Sequence, residues 1–151
     1  MIDPGVLLEA LELRVRFRMK TSPEALLYLA RSARKGMLRI LRDTLRRPIG
    51  YVAWAEVNKE SLRRMQRVGL GMLAHYEWDE GRLVVIVDAA FAPGRARSLA
   101  QPLTAAFARR RVVVLARSHG FSLYARSGDE FLHVRTQRFA KELASGHLPA
   151  I

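Results

Sequence analysis

Asp88 is the residue whose position most needs a chemical reason. It ends the apolar run 83–87 in the stretch LVVIVDAAFAPG and stands just before a Pro-Gly turn. Burying an unpaired carboxylate costs several kcal/mol, so hydrogen-bond donors must be close by. One source is local: Asp often bonds the backbone amides of a turn, here the one at Pro93 and Gly94. Other chemistry-bearing groups are sparse. Cysteine is absent, which removes disulfides, thiolate zinc sites and thiol nucleophiles together. The four histidines, His75, His119, His133 and His147, are too dispersed to form a local metal motif.

The charge is far from balanced, with 26 Lys and Arg against 14 Asp and Glu and a net charge of +12 at pH 7. Such a surface attracts nucleic acid, an anionic membrane or an acidic protein. Arg supplies 22 of the basic residues and Lys four, a bias that a GC-rich genome also produces without selection for binding. No helix-turn-helix, zinc-finger or RNP pattern supports nucleic-acid recognition.

With 151 residues, half of them hydrophobic, the chain can bury a real core. It has no repeat, low-complexity tract or Ser/Gly linker, so 1–151 is expected to be one domain. No apolar run approaches the roughly 20 residues of a membrane-spanning helix. The N-terminal MIDPGVLLEALEL carries acids where a signal peptide would be basic, and the expected location is the cytoplasm.

These groups must be held by regular elements. LELRVRFRMK alternates like a strand, yet Leu7, Leu8, Leu11, Val15 and Met19 form a helical stripe among helix formers, and the reading is helix. If the apolar face of 11–19 is left uncovered, it is a natural dimer contact. Next, Ser22 as N-cap, Pro23 at the first helical position, Glu24 in the first turn and Gly36 as terminator define a helix. Residues 37–43 and 48–57 read as a hairpin with a short basic loop. Asn58 can cap a helix to about residue 67 that buries Leu62 and Met65.

Residues 76–80 suggest a short strand that turns at 79–81 into the strand 83–90. A helix over 98–110 tolerates Pro102 near its start and ends on Arg109, Arg110 and Arg111. Strands follow at 112–116, 121–126 and 131–136, then a terminal helix at 137–144. The expected class is α/β (α+β), a single mixed, largely antiparallel sheet flanked by helices.

Pro48, Ile49, Gly50, Tyr51, Val52, Ala53, Trp54 and Ala55 match an aromatic-rich strand of the form P-V-A-Y-C-S-W-A. Gly81 stands seven positions before Asp88 at the end of an apolar strand, and residues 91–94 follow with an A-P-G turn. In these features residues 22–117 resemble the RTX toxin-activating lysine acyltransferases, the hemolysin-activating group. The resemblance implies a fold related to the Gcn5-type N-acetyltransferases. It also implies transfer of a fatty acyl group from acyl carrier protein to lysine side chains of a protein substrate. The absence of a Gly-rich pyrophosphate loop before a helix agrees with a carrier-protein donor and no bound cofactor. An acidic carrier would be steered by arginines, with Arg95 and Arg97 nearest the turn. Trp54, Arg95 and Arg97 are the candidate substrate-binding residues, while Trp54 and Tyr51 also read simply as core aromatics.

Attack by a lysine amine on a thioester benefits from a general base. In the family that base is thought to be a histidine N-terminal to the first strands, oriented by the strand-end Asp. Here its column falls on Arg16, Thr21 or Ala25, and no histidine precedes His75. Three explanations follow. His75, or His133, substitutes in space, which makes Asp88 and His75 the candidate catalytic pair. Otherwise Asp88 or water assists a slow transfer. In the third, catalysis is lost and the chain is a protein-binding or dimeric assembly module.

Overall fold

A computed structural model describes residues 3–68, 75–117 and 120–138. Helix α1 spans Pro4–Arg16, α2 Pro23–Arg34, α3 Lys59–Val68 and α4 Ala96–Ala106. The strands are β1 Leu38–Arg42, β2 Pro48–Val57, β3 Leu83–Phe91, β4 Val112–Arg117, β5 Gly120–Ser127 and β6 Glu130–Arg138. They form one six-stranded sheet in the order β1-β2-β3-β4-β5-β6. The β1–β2, β4–β5 and β5–β6 pairs are antiparallel and the β3–β4 pair is parallel. This is a mixed α+β fold, and among the described residues no helix is long and apolar enough to cross a membrane.

The chain divides into two compact units: Met1–Trp54 with Asp88–Arg109, and Ala55–Val87 with the segment from Arg110 onward. In the first unit, capping chemistry sets the helices. The Asp3 carboxylate accepts from the Gly5 amide at 2.9 Å ahead of Pro4, and the Ser22 hydroxyl accepts from Ala25 at 3.1 Å ahead of Pro23. Gly36, at φ +71°, ends the second helix in a conformation that side chains resist. Strand β2 is buried from Ile49 through Ala55. Successive strand residues point to opposite faces, so this unbroken burial means that both faces are covered.

In the second unit, Asn58 accepts from the Ser61 amide at 2.8 Å and caps α3, which buries Ser61 and Met65 with Leu62 half-buried. Gly81 donates its N–H to the Glu56 carbonyl at 3.0 Å. A Cβ on Gly81 would collide with the backbone of Val57 and Asn58, so only glycine permits this approach.

Several sequence expectations shift. In α1 the buried face is Ala10, Leu13 and Arg14, while Leu8 and Val15 are 59% and 77% exposed. The stripe of Leu7, Leu8, Leu11 and Val15 read from the sequence is therefore not the buried face of this helix. Residues 75–78 form a 3-10 turn, not a strand. Its neighbours Glu77 and Trp78 are both buried, which a strand exposed on one face does not allow. Glu77 bonds Ser61 at 3.0 Å and pairs with Arg64.

Helix α4 runs over Ala96–Ala106 with Pro102 in its interior, where one helical hydrogen bond is forgone. It ends a turn later, which leaves Arg109, Arg110 and Arg111 outside the helix. Arg110 instead pairs with Glu56 at 2.5 Å. The expected terminal helix fails at its start, since Gln137 and Arg138 belong to β6. The rest of that helix lies outside the described residues.

Gly81→Ala is expected to lower stability by about 3 kcal/mol, because a backbone ladder and not a flexible side chain must move. Urea denaturation measures this, and a loss within about 0.5 kcal/mol would mean that the approach is dispensable.

Candidate functional site

The site forms where α1 meets the middle of the sheet in the first unit. After α1 the chain folds back, with Arg18 N–H bonding the Val15 carbonyl and Met19 N–H the Arg14 carbonyl, both at 3.0 Å. That reversal lays Lys20 and Thr21 over Arg14. Every nitrogen of the Arg14 guanidinium is then used. Nε donates to Thr21 Oγ1 at 3.1 Å and Nη2 to the Lys20 carbonyl at 2.6 Å. Nη1 donates at 2.7 Å both to the Tyr51 hydroxyl and to Asp88 Oδ2. Tyr51 closes the triangle by donating its own hydroxyl proton to Oδ2 at 2.6 Å.

The Arg14 side chain is 4% exposed and that of Asp88 16%. Burial works against the Arg14 charge, but the Tyr51 hydrogen bond and the Asp88 carboxylate outweigh it, and the guanidinium is held more firmly protonated than usual. Burial pushes the Tyr51 phenol far above its ordinary value of 10, and the bond to Asp88 and that residue's charge push it further.

Asp88 therefore found its donors across the fold. Strand β3 continues past it to Phe91, and its hydrogen bonds go to Arg14 and Tyr51, not to the Pro-Gly turn. Neither partner is a base at neutral pH: an arginine does not deprotonate in a protein, and this tyrosine holds its proton. Asp88 Oδ1 has no hydrogen-bond partner among the described residues. The cluster orients and neutralises charge, and neither of the two groups that donate to Asp88 accepts a proton near pH 7.

Of the other sequence candidates, Trp54, Arg95 and His133 lie elsewhere. Trp54 is 9% exposed and meets Phe107 edge-on, with ring centroids 5.2 Å apart, as a core aromatic does. Arg95 is exposed at the start of α4, beside a cavity that it shares with Arg16 and Arg47. His75 opens the 3-10 turn and Arg97 lies in α4, but their side chains fall outside the described atoms. His133 is exposed on β6, 2.9 Å from Thr136 Oγ1 and edge-on to the Tyr124 ring. Among the described residues no three His, Cys, Asp or Glu side chains gather to hold a metal ion.

The chain matches no protein-family model and no curated protein.

Sequence reasoning missed Arg14 and took Tyr51 for ordinary core. The available signal was spacing: Arg14 stands four residues after Ala10 and one after Leu13, on the face that the fold buries. Two outcomes test the cluster. Asp88→Ala strands a buried guanidinium and should cost about 3 kcal/mol in urea denaturation, whereas Arg14→Met with Asp88→Ala should cost less than the two singles added. The Tyr51 contribution should be fully present below pH 10 and lost as pH rises above it, because the unfolded chain then ionises while the folded one stays protonated. Unfolding midpoints between pH 8 and 11 should fall more steeply for the wild type than for Tyr51→Phe; equal slopes would contradict the assignment.

Proposed function

We propose that this chain is a non-catalytic relative of the RTX toxin-activating lysine acyltransferases, a protein-binding module for an acidic partner of the acyl-carrier type. The observation that carries the reading is Arg14. Where the family's strand-end aspartate is thought to orient a histidine, Asp88 here accepts from a buried arginine and a tyrosine. The exchange replaces an imidazole that titrates near neutrality with a guanidinium that does not. The net charge of +12 supplies attraction for an acidic protein and a fast, salt-sensitive encounter.

Kinship with the Gcn5-type N-acetyltransferase fold is part of the same proposal, supported by the mixed sheet with its parallel β3–β4 pair. So is the dimeric assembly, which the exposed Leu8 and Val15 on α1 favour.

The test incubates the purified chain with acyl-loaded carrier protein and a lysine-bearing protein substrate, and follows acylation by mass spectrometry. Calorimetry follows carrier binding in parallel. The expected outcome is no acylation, together with binding that weakens at least about tenfold between low and moderate salt. In the Arg14→His variant an imidazole stands beside Asp88, and any acyl transfer should appear there first. Acylation by the wild-type chain would overturn the reading, as would the lack of any carrier binding.

A further inference from the structure

A cavity of about 350 Å³ in the first unit contains neither Arg14, Tyr51 nor Asp88 in its walls. Its cationic wall is Arg16, Arg47 and Arg95, and its apolar wall includes Phe17 and the buried Ile49. A second lobe of about 420 Å³ shares Asp43, Arg47 and Arg95 and extends toward Gln101.

The acid of this cavity is already committed. Asp43 Oδ1 accepts the backbone N–H groups of Leu45 and Arg47, each at 2.9 Å, and Oδ2 accepts Arg47 Nε at 2.8 Å. Those bonds, the Arg47 amide foremost, hold Asp43 below the ordinary carboxylate range, so it stays charged and matched to Arg47. Arg42, which reaches the second lobe, donates from Nη2 to both carboxylate oxygens of Glu9, each at 2.8 Å. Arg16 and Arg95 have no ionic partner among the described residues. Two uncompensated guanidinium groups thus border a concave surface that is also lined by the half-buried Phe17, Pro48 and Ala92.

We infer that this cavity is a binding site for an oxyanion-headed amphiphile, an alkyl phosphate or carboxylate. The head would sit on Arg16, Arg95 and the Arg47 nitrogens that Asp43 does not engage, and the apolar body against Phe17, Pro48 and Ala92. Guanidinium groups pair with such oxyanions through two parallel hydrogen bonds. A bare inorganic anion leaves the apolar wall wet, and a neutral alkyl chain leaves the guanidinium groups without a counter-charge. Only a ligand with both parts satisfies both walls. The site goes beyond the proposed function and stands whether or not the chain transfers acyl groups.

The test titrates the full chain with hexyl phosphate by calorimetry, with inorganic phosphate and hexanol as comparators. Hexyl phosphate should bind at least about tenfold tighter than phosphate, and hexanol should not register. The double variant Arg16→Gln/Arg95→Gln should lose at least about tenfold, while Arg39→Gln/Arg63→Gln, with the same charge removed from exposed positions elsewhere, should stay within about twofold. Arg95→Gln alone should show an intermediate loss, which keeps the test open if the double variant folds poorly. Equal binding of phosphate and hexyl phosphate, or equal losses in the two double variants, would overturn the inference. Flotation with phosphatidic acid vesicles separates the sources. Binding competed by hexyl phosphate assigns a lipid headgroup, and hexyl phosphate binding without flotation assigns a free small anion.

Discussion

A guanidinium withdrawn from water must find a carboxylate and a full set of acceptors, and the first unit is arranged around Arg14 meeting that demand. Helix α1 supplies the charge, the chain reversal after it supplies the Lys20 carbonyl and Thr21 hydroxyl, β2 supplies Tyr51, and β3 supplies Asp88. Three stretches distant in sequence, residues 14–21, Tyr51 and Asp88, are tied to one planar group. Buried ion pairs contribute little net stability compared with an apolar core of equal volume, but losing one partner is costly. The cluster therefore acts more as a register than as glue: it fixes which face of α1 turns inward and how far β3 lies along β2.

The parts of the fold legible in the sequence are those that neighbouring residues decide. The caps at Ser22 and Asn58, the hairpin of β1 and β2, and the apolar strands could be read because each rests on neighbouring residues. The class of fold followed from their order. What could not be read depends on contacts between distant segments. The inward face of α1 carries Arg14, which reaches Asp88, 74 residues away, and not the stripe of Leu7, Leu8, Leu11 and Val15. The turn at 75–78 is set by Glu77 reaching Ser61 and Arg64. The end of α4 at Ala106, short of the three arginines, carries no local stop signal that the sequence shows.

The site was half legible for the same reason. Asp88 stood out because a carboxylate at the end of an apolar strand needs a donor, and the structure supplies two. Their identity redirects the chemistry. A histidine beside Asp88 would share a proton with substrate, whereas Arg14 and Tyr51 hold their protons across the neutral range. The Asp88 carboxylate is here matched by a guanidinium inside the protein. Arg16 and Arg95, which have no ionic partner among the described residues, border a cavity apart from this cluster.

The most direct measurement of the central claim is the guanidinium region of the 15N–1H NMR spectrum at neutral pH. With Nε and both Nη groups of Arg14 hydrogen-bonded and buried, its side-chain protons should appear as separate resonances that exchange slowly with water, and Asp88→Asn should shift those of Nη1 most. A single averaged Nη signal for Arg14, exchanging as fast as that of an exposed arginine, would contradict the account.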